Sequence, residues 1–247
     1  MKIEGHKVLV TGGSGGIGLA IARAFRQAGC EVAICGRDEK KLDAAAVEAD
    51  VMPIRADVAE PEDLGRLPAA VEQALGGLSV LINNAGVQFS CNFLSMPPGE
   101  IARLVEREVR INLEAPAILA SLFLPMLSRA PEAAIVNVSS GLALSPKSSA
   151  PMYCATKAGL HSFSKALRYQ MEDAGRRIGV FEVLPPLVDT DMTRGRGGGK
   201  ISPEDVAAAT LDGMRRDRRE IRVGKVGLLY VLCRLAPGMA ERVLRRG

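Results

Sequence analysis

A glycine-dense turn constrains this chain more than any other feature. Thr11-Gly-Gly-Ser-Gly-Gly-Ile-Gly18 follows the apolar run Val8-Leu9-Val10 and opens into Leu19-Ala-Ile-Ala-Arg-Ala-Phe25, an amphipathic helical pattern. A strand that turns directly into a helix brings unpaired backbone N–H groups and the positive end of the helix to one point, which suits the pyrophosphate of a dinucleotide. Glycine admits the backbone conformations and the close approach that such a turn needs. Two registers fit, Gly13-x-Gly15-x-x-Gly18 and Gly12-x-x-x-Gly16-x-Gly18. Either alone also describes a strand-to-helix turn without a ligand.

The rest of the chain alternates in the same manner. Apolar runs predict strands near 7–11, 31–36, 51–55, 78–82, 133–138 and 178–184, with helical periods near 16–29, 38–48, 60–75, 99–129, 151–174 and 203–217. Val80-Leu81-Ile82 and Ala134-Ile135-Val136 are apolar on both faces, as in a parallel sheet covered by helices on either side. The expected fold class is α/β, a doubly wound parallel sheet in one domain over residues 1–247, with ligands outside the carboxyl ends of the strands. Residues 187–200 include the flexible run Arg194-Gly-Arg-Gly-Gly-Gly-Lys200 and are expected to form a substrate lid, ending before a helix capped by Ser202.

Composition excludes several classes. With 47% hydrophobic and 24% charged residues the chain has the make-up of a globular protein. Its five cysteines, at 30, 35, 91, 154 and 233, lack metal or disulfide spacing, so no metal is expected. The net charge of +4 comes without a basic stripe interleaved with aromatics, so no nucleic-acid partner is expected. No long apolar segment follows the basic start, and the expected location is cytoplasmic.

Candidate chemistry gathers at the strand ends. Asn83-Asn84-Ala85-Gly86 follows the fourth strand, and Ser140 ends the fifth, thirteen residues before Tyr153. Tyr153 and Lys157 lie four apart on one helical face, where an ammonium is expected to lower the phenol pKa and make it a usable acid or base. Ser139 competes with Ser140, and Asp57-Val58 follows the third strand as either a nucleotide contact or a helix-capping carboxylate. His6 and His161 read as packing residues, and Cys154 as a small buried hydrophobe.

Thr11-Gly-x-x-x-Gly-x-Gly18, Asn83-Asn-Ala-Gly86, Asn112, Ser140 and Tyr153-x-x-x-Lys157 resemble, in order and spacing, the short-chain dehydrogenase/reductase family over residues 5 to 220. The resemblance implies a Rossmann-type fold and a hydride exchanged between a nicotinamide and a carbonyl or alcohol. It assigns Tyr153 as general acid/base, Ser140 as holder of the substrate oxygen, Lys157 as ribose ligand and Asn112 as holder of a water. Its cofactor contacts are Thr11, Gly12, Ser14, Gly16, Ile17, Gly18, Arg37, Asp57, Val58, Asn83, Ala85, Gly86, Tyr153, Lys157, Pro185, Val188 and Thr190.

Where members that prefer NAD(H) carry an acid, this chain has Gly36 followed by Arg37, so NADP(H) is the expected cofactor; Asp38 leaves NAD(H) open as a ribose ligand. Pro185-Pro186 replaces the more usual Pro-Gly and stiffens the loop. Alternatives are a 3-ketoacyl-carrier-protein reductase and a non-catalytic nucleotide-binding regulator. Family habit implies a homodimer or homotetramer.

The Arg215–Arg222 charge run reads as a solvated helix end, and residues 220–247 as a C-terminal packing extension. The apolar stretch Val226–Cys233, with Arg242, Arg245 and Arg246 beyond it, is expected in an oligomer contact or over the cleft rather than on a membrane surface. The Ile-Cys-Gly-Arg strand end, the Pro-Pro loop and this tail resemble the oxidoreductases found with teichoic-acid D-alanylation genes.

Overall fold

Strand–helix alternation builds one parallel sheet in the computed structural model, which describes residues 1–245. In chain order the elements are β1 (Lys7–Thr11), α1 (Gly16–Gln27), β2 (Glu31–Gly36), α2 (Glu39–Ala49), β3 (Met52–Arg55), α3 (Pro61–Leu75), β4 (Val80–Asn83), α4 (Pro98–Val109), α5 (Ala115–Leu127), β5 (Ala133–Val138), α6 (Pro151–Asp173), β6 (Ile178–Leu184), α7 (Pro203–Arg215), β7 (Glu220–Arg222), α8 (Val226–Leu235) and α9 (Pro237–Leu244). The strand order is β3-β2-β1-β4-β5-β6-β7. It reverses direction between β1 and β4, where a doubly wound sheet opens its binding crevice.

Strand alternation divides the core in two. Val8, Val10 and Ile34 face the α1 and α7 side with Phe25 and Met214, whereas Leu9, Ala33 and Cys35 face α3 and α5 with Leu67 and Phe123. Both faces are dry, which is why the strands read as continuous apolar runs.

The structure differs from the sequence reading in two places. A seventh strand, Glu220–Arg222, pairs with β6 through Val183 and Ile221, in the stretch read as a solvated helix end. One buried apolar residue between two charged ones is too short a pattern to show a period. The expected helix at 99–129 is interrupted by a π-helical turn at Arg110–Glu114. Pro116 has no N–H to donate to the Asn112 carbonyl, and the ladder widens so that Ala115 N–H reaches the Arg110 carbonyl. This α4–α5 segment is long and apolar enough to cross a membrane by length and composition, yet Leu119, Phe123 and Leu127 are fully buried in the core.

The described residues of the 220–247 extension take one of the two places expected for them, over the cleft. The extension begins as a strand of the main sheet, and its helices α8 and α9 fold back over the strand ends. The Ser148 N–H and hydroxyl both donate to the Arg245 carbonyl, at 3.1 and 2.8 Å. Arg246 of the expected basic tail lies outside the described residues.

Phe123 is wholly buried between α5 and the sheet. Phe123→Ala is expected to cost about 3–5 kcal/mol in urea unfolding.

Candidate functional site

The site starts from the turn after β1. Gly12 and Gly16 have φ of +63° and +53°, and a Cβ on Gly18 would lie 2.3 Å from the Gly12 carbonyl oxygen. Gly15 faces open space. The longer-spaced register, Gly12-x-x-x-Gly16-x-Gly18, is therefore the one whose glycines the backbone requires. The turn is clamped to the end of β4: the Asn84 and Ala85 N–H groups both donate to Thr11 Oγ1 at 3.0 Å. The Asn84 amide donates to the Thr11 and Gly12 carbonyls at 2.9 and 3.2 Å. Asn84 is thus a turn-holding residue that sequence reasoning passed over in favour of Asn83. The Asn83 amide points into the core, donating to Asn137 Oδ1 at 2.9 Å.

A cleft of about 1440 Å³ runs from this turn along the carboxyl ends of the strands. Among the expected residues, Gly12, Ser14, Gly16, Ile17, Arg37, Asp57, Val58, Ala85, Gly86, Ser140, Tyr153, Lys157, Pro185, Val188 and Thr190 line it. Thr11, Gly18, Asn83 and Asn112 stand behind the lining as supports rather than walls. The volume and the glycine-lined floor fit a dinucleotide.

At the β2 end, Arg37 is half-exposed, its guanidinium 3.7 Å from Asp57. Asp38 is occupied in capping α2, accepting the Lys41 N–H at 3.1 Å, and Lys41 joins the cleft wall. Asp57 makes a local turn, accepting the Ala59 N–H at 3.0 Å. The cap position of α3 belongs to Glu60, which makes no side-chain cap bond, so Asp57 lines the cleft without capping the helix.

At the other end, α6 carries Tyr153 and Lys157 beneath Ser140. Lys157 is buried and donates to the Val138 carbonyl at 2.8 Å. Burial pushes its ammonium down to about 8, with buried Glu182 acting in the opposite direction. The expectation that Lys157 lowers the Tyr153 pKa is not met: burial dominates and pushes the phenol up to about 12, with a hydrogen bond from Ser140 only partly offsetting it. Ser139 turns away, donating to the Lys157 carbonyl at 3.2 Å, which leaves Ser140 beside the phenol. Asn112 reaches the cleft wall through Val87, accepting its N–H and donating to its carbonyl, both at 2.8 Å. His161 binds Glu182 at 2.6 Å behind the site, and His6 binds Ser79 at 2.8 Å at the opposite, amino ends of the strands.

The loop after β6 is less free than its glycines suggest. Val188 bridges Ile201, Lys200 donates to Asp189 and to the Thr193 carbonyl, and Arg196 reaches across to Gln88 Oε1 at 2.7 Å. The Pro185 carbonyl accepts the Gly141 N–H at 2.9 Å, tying this loop to the one after β5.

The comparisons agree with this architecture. The family model for short chain dehydrogenase matches residues 6–199. The chain is 41% identical over 231 residues to the uncharacterized oxidoreductase DltE of Bacillus subtilis, covering 90% of this chain and 89% of that one. An uncharacterized oxidoreductase of Staphylococcus aureus, SA2266, is 28% identical, covering 82% of this chain and 88% of the other. DltE meets the resemblance to the oxidoreductases associated with teichoic-acid D-alanylation genes. Among solved structures, a Burkholderia cenocepacia short chain dehydrogenase in complex with NADP superposes with a TM-score of 0.86 at 26% identity, covering 99% of each chain. A Burkholderia phymatum short chain dehydrogenase/reductase in complex with NAD gives 0.86 at 22% identity, covering 100% of this chain and 97% of that one. With its glycine turn, its switch-point cleft and this match over most of its length, the chain belongs to the short-chain dehydrogenase family and is an NAD(P)-dependent oxidoreductase.

Proposed function

We propose that this oxidoreductase is an NADPH-dependent carbonyl reductase, able to run the reverse oxidation with the same groups. The observation that carries this reading is Arg37 on the cleft wall, at a strand end where Gly36 brings no acid and Asp38 is taken up by its helix cap. A guanidinium there makes charge-assisted hydrogen bonds to a 2′-phosphate, and Lys41 adds a second cation on the same wall. Gly12, Ser14, Gly16 and Ile17 would hold the pyrophosphate, Asp57, Val58, Ala85 and Gly86 the adenine side, and Pro185, Val188 and Thr190 the nicotinamide side. When bound, the cofactor supplies the hydride.

The protein's own part is proton management. A phenol held near 12 is fully protonated at neutral pH, so Tyr153 serves as the acid that protonates a developing alkoxide. Ser140 donates to the same oxygen and stabilises its charge. Lys157 would hold the ribose hydroxyls, and Asn112, fixed to Val87, would position a water toward Lys157. Residues 187–200 act as the lid over the substrate end. The five free cysteines favour a reducing cytoplasm. Exposed Ile118 and Leu122 on α5 support a homodimer or homotetramer.

Titration with NADPH and NADH, followed by reduced-nicotinamide fluorescence, is expected to show tighter NADPH binding. Arg37→Ala should weaken it about tenfold while sparing NADH; tighter NADH binding in the wild type would overturn the assignment. Tyr153→Phe should lower turnover by about 10²–10⁴-fold with nucleotide binding retained. Lys157 holds its proton less tightly folded than unfolded, so its burial costs stability below pH about 8 and the cost fades toward 10.5. Lys157→Met should therefore gain on the wild type as pH falls from 10.5 to 8, measured by urea unfolding of the two proteins across that range.

A further inference from the structure

The substrate end of the cleft holds hydrogen-bond donors that the reduction chemistry leaves unused. Lys147, in the loop between β5 and α6, lines the cleft half-buried. Arg196, from the loop after β6, stands behind the cleft wall rather than in it, donating to Gln88 Oε1 at 2.7 Å and approaching the Gln88 carbonyl at 3.5 Å. A guanidinium only donates, so it fixes the amide with its oxygen toward Arg196 and its NH₂ group turned away. That nitrogen, Gln88 Nε2, is buried and has no acceptor among the described residues. Gln88 itself lines the cleft.

Two neighbouring cations are neutralised locally: Arg194 pairs with Asp191 and Lys200 with Asp189. Among the described residues, Lys147 and Arg196 have no such carboxylate partner. They stand close enough for Arg196 to disfavour the Lys147 charge, adding to the effect of burial, and Arg196 also acts on Tyr153. The nearby Glu108 carboxyl is buried, accepts the Phe89 N–H at 2.7 Å, and is pushed by burial toward its neutral form. Partly buried donors without acceptors are costly and become favourable when an anion supplies the acceptors. Across the same cleft, α8 and α9 present Leu229, Leu232 and Leu244 as an apolar wall.

We propose that Lys147, Arg196 and Gln88 form a subsite for an anionic group, a carboxylate or a phosphate, on a substrate whose apolar chain lies against α8 and α9. This inference names the substrate class of the reductase reading and rests on it for the reacting carbonyl. The subsite itself is a binding claim and is tested without turnover.

Octanoate, octyl phosphate and octan-1-ol are titrated calorimetrically into the NADPH-loaded protein. Either anion is expected to bind at least about tenfold more tightly than the alcohol. Lys147→Met and Arg196→Met, each checked for retained NADPH binding, should remove that advantage, and Lys147→Arg should restore most of it. A tighter carboxylate or a tighter phosphate identifies which anion the subsite takes. Equal binding of all three probes, or an advantage that survives both methionine variants, overturns the subsite. Anion binding that depends on Lys147, combined with no reduction of any ω-oxo acid, would instead overturn the reductase reading and leave the subsite standing.

Discussion

One hydroxyl holds the crevice open at a fixed width. The β1–β4 ladder ends at Val10 and Ile82, and beyond it the two chains must diverge to leave room for a ligand. Thr11 Oγ1 takes over where the ladder stops, accepting from Asn84 and Ala85 and donating to the Ile82 carbonyl at 3.4 Å. Only a hydroxyl both donates and accepts in so small a volume. The Asn84 amide completes the joint on the Thr11 and Gly12 carbonyls, and Gly18 then packs against Gly12 at a distance no side chain tolerates. The glycine turn is held in place by this seam, and with it the start of α1.

Much of this was legible in the sequence, because the relevant signals are local. Glycine density, doubly apolar strands and the Tyr153/Lys157 spacing each report on a few consecutive turns of chain. What escaped depends on distant partners. Ile221 becomes a strand residue only because β6 offers it an edge. The π-helical turn follows from Pro116, but its effect appears four residues earlier, at Asn112. Asn83 and Asn84 are chemically identical, and only the pleat decides that one enters the core while the other faces the turn.

The direction of the Tyr153 shift was missed for a related reason. Spacing along α6 reveals that a lysine is near, but not how dry the site is. Lys157 spends its ammonium on the Val138 carbonyl, 2.8 Å away, and lies 5.8 Å from the phenol ring centroid. Desolvation acts on both groups at once, raising the phenol and lowering the ammonium, so that each is driven toward its neutral form. A neutral phenol beside a serine hydroxyl is a proton donor, the part that the proposed reduction would ask of it.

The two ends of the cleft treat positive charge differently. At the β2 end Arg37 has Asp57 within 3.7 Å, so a phosphate held there as proposed would compete with a carboxylate already in place. At the substrate end Arg196 leans on the neutral amide of Gln88. Because Arg196 sits among residues 187–200 and Gln88 follows β4, their hydrogen bond links the loop to the opposite wall of the cleft. An anion arriving there would meet donors already oriented by that bond, and holding it would add to the contacts that tie the loop to that wall. The C-terminal helices contribute from the third side: docked through Ser148 onto the loop that carries Lys147, they place an apolar surface against the charged one. Recognition of an amphiphilic anion and closure of the loop would then draw on the same few contacts.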